Sequence, residues 1–100
     1  MIGYDAMTEI TEAASNDIAP HLWTLYWLAR FTRGCCIECG VRDGDSTRAL
    51  LAGCVDSGKV LYSYDIMDCR PSVEWHIKRL GLEVLLDRWR FEQRSSVQAA

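Results

Sequence analysis

Cys36-Ile37-Glu38-Cys39-Gly40-Val41-Arg42-Asp43-Gly44-Asp45-Ser46-Thr47 reads as a buried strand, a glycine turn and a helix start. A little further on, Val60-Leu61-Tyr62-Ser63-Tyr64-Asp65 reads as a second short strand that ends in a carboxylate. Between them Asp45 or Ser46 caps a helix expected over Thr47 to about Val55, and Ser57-Gly58 makes the turn. Strand, glycine turn, helix and strand in this order open a βαβ unit. The continuous small apolar character of Cys35 to Cys39 suits a strand covered on both faces.

Working outward, Leu22, Trp23, Tyr26, Trp27 and Ala29 fall at helical spacing, which predicts a helix near Ile18 to Thr32. Ser15-Asn16-Asp17 supplies its N-cap signal, Pro20 sits in its first turn, and Gly34 suits its end. Its aromatic stripe is expected to pack against the sheet. The first fifteen residues read as a loose helix. Downstream, Pro71 opens a helix carrying Val73, Ile77, Leu80 and Val84. Arg88 to Glu92 alternates polar and apolar residues, as an outer strand would.

The order helix, β, α, β, α, β implies a parallel sheet with right-handed crossovers. The expected fold is α/β: a Rossmann-like three-layer half domain of about three parallel strands after an N-terminal helix. Residues 1–33 form the helical segment and residues 34–100 the partial Rossmann-like domain.

One hundred residues, 49% hydrophobic and 25% charged, suit one small globular domain rather than a disordered chain. A formal charge of −3 argues against non-specific nucleic-acid binding, which needs a basic surface. The apolar run Leu22 to Ala29 is too short to span a bilayer, and no signal-peptide pattern opens the chain, so a cytoplasmic protein is expected. The five cysteines are odd in number, unlike a secreted disulfide framework, and read as reduced, buried thiols. Cys36 and Cys39 form a C-x-x-C, but a strand sends positions three apart to opposite faces. No second such pair follows, and His21 and His76 stand alone, so no metal site is expected.

A glycine turn between strand and helix lets a ligand approach the backbone, and the helix N-terminus presents free N–H groups. A carboxylate at the next strand's end accepts the hydroxyls of a ribose. Asp65 lies 25 positions beyond Gly40, near the spacing such units use. A nucleotide-type ligand follows. The alternative is that Gly40 and Gly44 only make a turn and Asp65 only caps the next segment.

The glycines do not follow G-x-G-x-x-G, since Arg42 stands where the second glycine would be. Glu38, Gly40, Gly44 and Ser46 instead spell E-x-G-x-x-x-G-x-S. This resembles motif I of class I S-adenosylmethionine-dependent methyltransferases. It is most similar to a subgroup with E-x-G-V-R-x-G-x-S-T-x-A-L-L-A-G, matched here from Glu38 to Gly53. Asn16-Asp17-Ile18 with His21-Leu22, Tyr62 to Ile66 and Trp89-Arg90-Phe91 are similar to the family's flanking helix, second strand and third strand. The resemblance covers about residues 15 to 96. It departs at Gln93-Arg94-Ser95-Ser96, where the family has a Gly-Asp-Ser-like turn. The sequence given stops at Ala100, so the resemblance covers the N-terminal half of such a domain.

The resemblance implies a methyltransferase or its cofactor-binding portion, with S-adenosylmethionine as cofactor and the acceptor open. Gly40 and Val41 would lie under the methionine part. Glu38 would fix the glycine loop and reach the cofactor amino group through water. Asp65 would bind the ribose and Ile66 the adenine. Ser46 would cap the following helix or touch the carboxylate. Arg42 and Asp43 are either loop charge or contacts to cofactor or substrate. No catalytic group is assigned. The rival expectation is a non-catalytic binding and assembly module. In it the open edge beside Cys35 to Cys39 pairs with a second copy, giving a homo-oligomer.

Overall fold

A computed structural model describes residues 1–15 and 17–94. Its elements run α1 (Ile2–Ala13), α2 (Ala19–Phe31), β1 (Cys36–Cys39), α3 (Asp45–Ser57), β2 (Leu61–Asp65) and α4 (Arg70–Arg79), then a 3₁₀ helix (Glu83–Arg88) and β3 (Trp89–Gln93). The sheet is parallel, in the order β1-β2-β3. The chain is therefore α/β, with an open Rossmann-like half-domain sheet.

Register explains how the sheet meets the helices. Cys36, Leu61 and Trp89 lie in one row, and Glu38, Ser63 and Phe91 lie two residues further on. These rows are buried or half-buried against the helices. The rows between them, Ile37-Tyr62-Arg90 and Cys39-Tyr64-Glu92, belong to the opposite face. Ile37 is 63% exposed there. The expectation that β1 is covered on both faces is thus corrected. Its helices lie on one face, and the β1 residue most shielded from water is the charged Glu38.

α3 is the hub. Thr47, Arg48, Ala49, Leu51, Ala52, Gly53 and Cys54 are all buried, because α1, α2 and the strands surround the helix. Gly58 ends it in the left-handed conformation that a turn of this kind requires. α1 is no loose helix: Ala6, Met7 and Ile10 are buried. Its first N–H groups find their acceptor far away in sequence. Gly3 N and Tyr4 N donate to the two oxygens of Asp56 on α3, each at 2.8 Å. The Tyr26 hydroxyl donates to the same carboxylate. Burial, then that bond, pushes the Tyr26 hydroxyl up to about 12.

Other expectations also need correction. The aromatic stripe of α2 packs on α1 and α3 rather than on the sheet. Tyr4 lies 5.3 Å from Trp23, ring centre to ring centre, and Tyr26 is fully buried. α2 is capped at Ile18 with no side-chain bond, so Ser15 and Asp17 do not cap it, and Asn16 lies outside the described residues. Likewise, Gly44 caps α3 without a side-chain bond, because Asp45 and Ser46 are turned to other partners. Val84 belongs to the 3₁₀ helix, since Gly81 ends α4 first. Of the thiols, Cys54 and Cys69 are buried, Cys36 is half-buried, and Cys35 and Cys39 are exposed because β1 has one open face. Ser95 and Ser96 lie outside the described residues.

Candidate functional site

The strand ends and the glycine loop meet at one edge of the molecule. Gly40 N continues the β1–β2 ladder by donating to Tyr64 O at 2.8 Å. The chain then turns sharply through Gly40 (φ 90°), Arg42 (φ 52°) and Gly44 (φ 85°) before α3 begins. A left-handed arginine is uncommon and needs support from its surroundings. Asp65 supplies it. Its Oδ2 accepts Val41 N at 2.8 Å and Arg42 N at 3.3 Å, and its Oδ1 accepts Met67 N at 2.9 Å. Successive backbone N–H groups around such a turn form an anion-binding concavity. Those bonds, led by Met67 N, hold the Asp65 carboxyl well below the usual range, at about 2. Asp65 is therefore ionised at any physiological pH.

Glu38 and Ser46 form a second group, on the helix side of the sheet. Glu38 is 7% exposed. Its Oε2 accepts Ser46 Oγ at 2.8 Å, and its Oε1 accepts Thr47 Oγ1 at 2.7 Å and Ser63 Oγ at 2.9 Å. Trp89 Nε1 in turn donates to Ser63 Oγ at 2.9 Å. This network ties all three strands to the first turn of α3. Burial pushes the Glu38 carboxyl up, against the three hydroxyls that favour its charge. Glu38 thus fixes the loop from beneath rather than lining the surface.

A cavity of about 310 Å³ opens beside the loop. Residues 41–46 form one wall, and Ser15, Asp17 and Ile18 form the other. Its lining includes one arginine, Arg42, and three aspartates, Asp17, Asp43 and Asp45, of which Asp45 is paired with Arg48. The structure thus gathers Val41, Arg42, Gly44 and Ser46 around one space, with Glu38 bonded to Ser46. Asp65 joins the loop through its hydrogen bonds but does not line that cavity. Ile66 does not line it either, and is 69% exposed beside Asp65. A Cβ placed on Gly40 would meet nothing within 4 Å, so the space above that glycine is open.

Reading the sequence missed Arg48, Ser63, Thr47, Asp56 and Trp89. An arginine directly before the apolar run Ala49-Leu50-Leu51-Ala52 is the one local signal that pointed at any of them. Arg48 Nη1 donates to Asp43 O at 3.2 Å, and Nη2 pairs with Asp45, so this side chain braces the loop. Cys36 and Cys39 turn to opposite faces, as a strand requires. Among the described residues no group of three His, Cys, Asp or Glu side chains is placed to hold a metal ion, and no helix is long and apolar enough to cross a membrane. No protein-family model, curated protein or solved structure matches the chain.

Proposed function

We propose that the chain is the cofactor-binding portion of an S-adenosylmethionine-dependent methyltransferase. The observation that carries this reading is Asp65, an ionised carboxylate at the C-terminal end of β2, held against the glycine loop that follows β1. Open parallel sheets bind nucleotides just outside such strand ends. A carboxylate offers about four lone-pair positions, and three N–H groups occupy most of them here. The bond from Arg42 N is the longest, so a ribose diol would replace that one. Exposed Ile66 gives the adenine an apolar seat. Asp17 and Asp43 favour a ligand that carries cationic sulfonium and ammonium groups, and Arg42 favours its carboxylate. The protein's part in methyl transfer is to hold the donor in line with the acceptor.

Calorimetric titration with S-adenosylhomocysteine tests this. Asp65→Ala is expected to weaken binding by about 1.5–3 kcal/mol, roughly 10- to 150-fold. Gly40→Val is expected to weaken it too, by filling the open space above the loop. Thermal melts of both variants separate lost contacts from a loosened loop. Undiminished binding in both removes the assignment.

A specific observation favours a second reading, that of an assembly module. Among the described residues β1 pairs on one side only, and Ile37 and Tyr62 lie exposed on the uncovered face. An open edge beside apolar surface invites a second copy. On this reading, sedimentation equilibrium at micromolar concentration gives a homodimer or larger species. A stable monomer refutes it.

A further inference from the structure

We infer that the free edge of β1 pairs antiparallel with the same edge of a second copy, across a two-fold axis at Ile37, and that this pairing makes Cys35 and the partner's Cys39 a thiol–disulfide site. The pairing rests on the assembly reading above and adds to it a register and two reactive residues.

Backbone direction fixes which residues can pair. In a strand the N–H and C=O of one residue point to the same side, and those of the next residue point to the other. Gly40 N donates to Tyr64 O, so Gly40, Glu38 and Cys36 turn their backbone groups to β2. Those of Cys39, Ile37 and Cys35, one residue before β1, point the other way. That edge has no neighbour among the described residues, and α2 leaves it open by docking on α1 and α3. A two-fold axis at Ile37 lets all three residues exchange hydrogen bonds. Ile37 then faces the partner's Ile37, and Cys35 faces the partner's Cys39.

The row itself argues for a second copy as the occupant. Cys35, Ile37 and Cys39 read Cys-Ile-Cys in either direction, so a two-fold contact sets each residue against its mirror position. All three side chains lie exposed on the open face of the sheet. No charge meets a like charge in the row, and isoleucine covers isoleucine at its centre. The edge also lacks the devices that keep strand edges single. There is no lysine or proline from Cys35 to Cys39, and the one charged residue, Glu38, is turned under the helices.

Residues that exchange hydrogen bonds across antiparallel strands have Cα atoms about 5.5 Å apart, inside the range of roughly 4.4–6.8 Å that a disulfide spans. Within one copy, four strand positions separate Cys35 from Cys39 by roughly 13 Å, so they cannot join. The oxidant is a low-molecular-weight disulfide such as oxidised glutathione. The Cys35 thiolate attacks one of its sulfurs and releases a first small thiolate. The thiolate of the partner's Cys39 then attacks the Cys35 sulfur and releases the second. Two protein thiols lose two electrons and two protons, and one small disulfide becomes two small thiols. The two-fold axis repeats the bond at the other end of the row.

Cys35→Ser and Cys39→Ser, made in the full chain, test the register. Both positions are exposed, so serine leaves the packing intact. With oxidised glutathione, the wild type is expected to give a dimer on a non-reducing gel that disappears with reductant. Either variant alone is expected to stay uncrosslinked, since each remaining thiol faces a serine. An equimolar mixture of the two is expected to crosslink again, because Cys39 of one copy meets Cys35 of the other. Ile37→Lys sets two cations together at the axis. It is expected to weaken the reduced dimer roughly tenfold, read by sedimentation equilibrium in reductant. If the reduced chain is a dimer, a crosslink in either single variant, none in the mixture, or an Ile37→Lys dimer as tight as the wild type overturns the pairing and leaves the assembly reading standing. A reduced monomer overturns both.

Discussion

Gly53→Ala is expected to lower the thermal midpoint by about 10–20 °C. The added methyl would stand 2.5 Å from Tyr26 O, 2.7 Å from Ala29 Cβ and 3.0 Å from Arg30 N. Two of those three atoms are α2 backbone and cannot rotate aside. α2 and α3 therefore have to separate along their largest shared surface, which carries the buried Leu22, Tyr26 and Ala29. Overpacking of this kind costs about 1–3 kcal/mol, and a rigid neighbour puts this site at the upper end. Alanine's better helix propensity returns at most about 1 kcal/mol. A domain of this size moves about 4–8 °C per kcal/mol. Gly34→Ala is the control. Its methyl would meet nothing within 4 Å, so it carries only the strain of a left-handed residue. A Gly53→Ala midpoint no lower than that of Gly34→Ala would show that the helices are not in close contact.

Glu38→Ala is expected to cost about 3–5 kcal/mol, a large share of the ~5–15 kcal/mol that stabilises a domain. It strips the acceptor from Ser46, Thr47 and Ser63 together, and Thr47 and Ser63 are fully buried. Each orphaned donor costs about 1–3 kcal/mol, and some re-pair with nearby carbonyls, so the sum is smaller than three full penalties. Urea unfolding measures it as a shift in midpoint. A loss under about 1 kcal/mol would contradict the network.

Glu38→Gln separates the charge from the hydrogen bonds. Burial raises the folded carboxyl of Glu38 above its unfolded value. The native state then holds the proton longer than the unfolded chain. Stability is highest below the unfolded value near pH 4, and it falls as pH rises through the folded value. Glutamine removes this slope. Asp65 works at the other end: its folded value of about 2 makes its contribution complete above about pH 4 and lost as pH falls toward 2. It adds nothing to the slope between pH 4 and 8. Parallel stability curves for wild type and Glu38→Gln over that interval would overturn the assignment.

Much of the scaffold was legible because its signals are local. Gly40, Gly44 and Gly58 punctuate the chain where the backbone turns left-handed, and all three turns lie where the sequence placed them. Apolar spacing located α2 and α4, the turns on either side located α3, and the short β-type runs located the strands to within a residue or two. The alternation of these elements implied the parallel order β1-β2-β3. Asp65 was legible for the same reason, since a carboxylate at a strand end needs only the strand to place it.

What the sequence by itself determined, then, is the succession of elements, the glycine turns and the place of Asp65 at the end of β2. Each follows from conformational preference over a few residues. Tertiary structure alone decided which face of each strand meets water. That depends on where helices dock, and the register sends Ile37 outward and Glu38 inward whatever their polarity. It also decided that Asp56 caps a helix more than fifty residues away and that Ser63 and Trp89 complete the Glu38 network. The depth at which Arg48 lies was likewise set by packing. A buried polar group takes whichever partner folding brings within reach, and that partner leaves no mark in the neighbouring sequence.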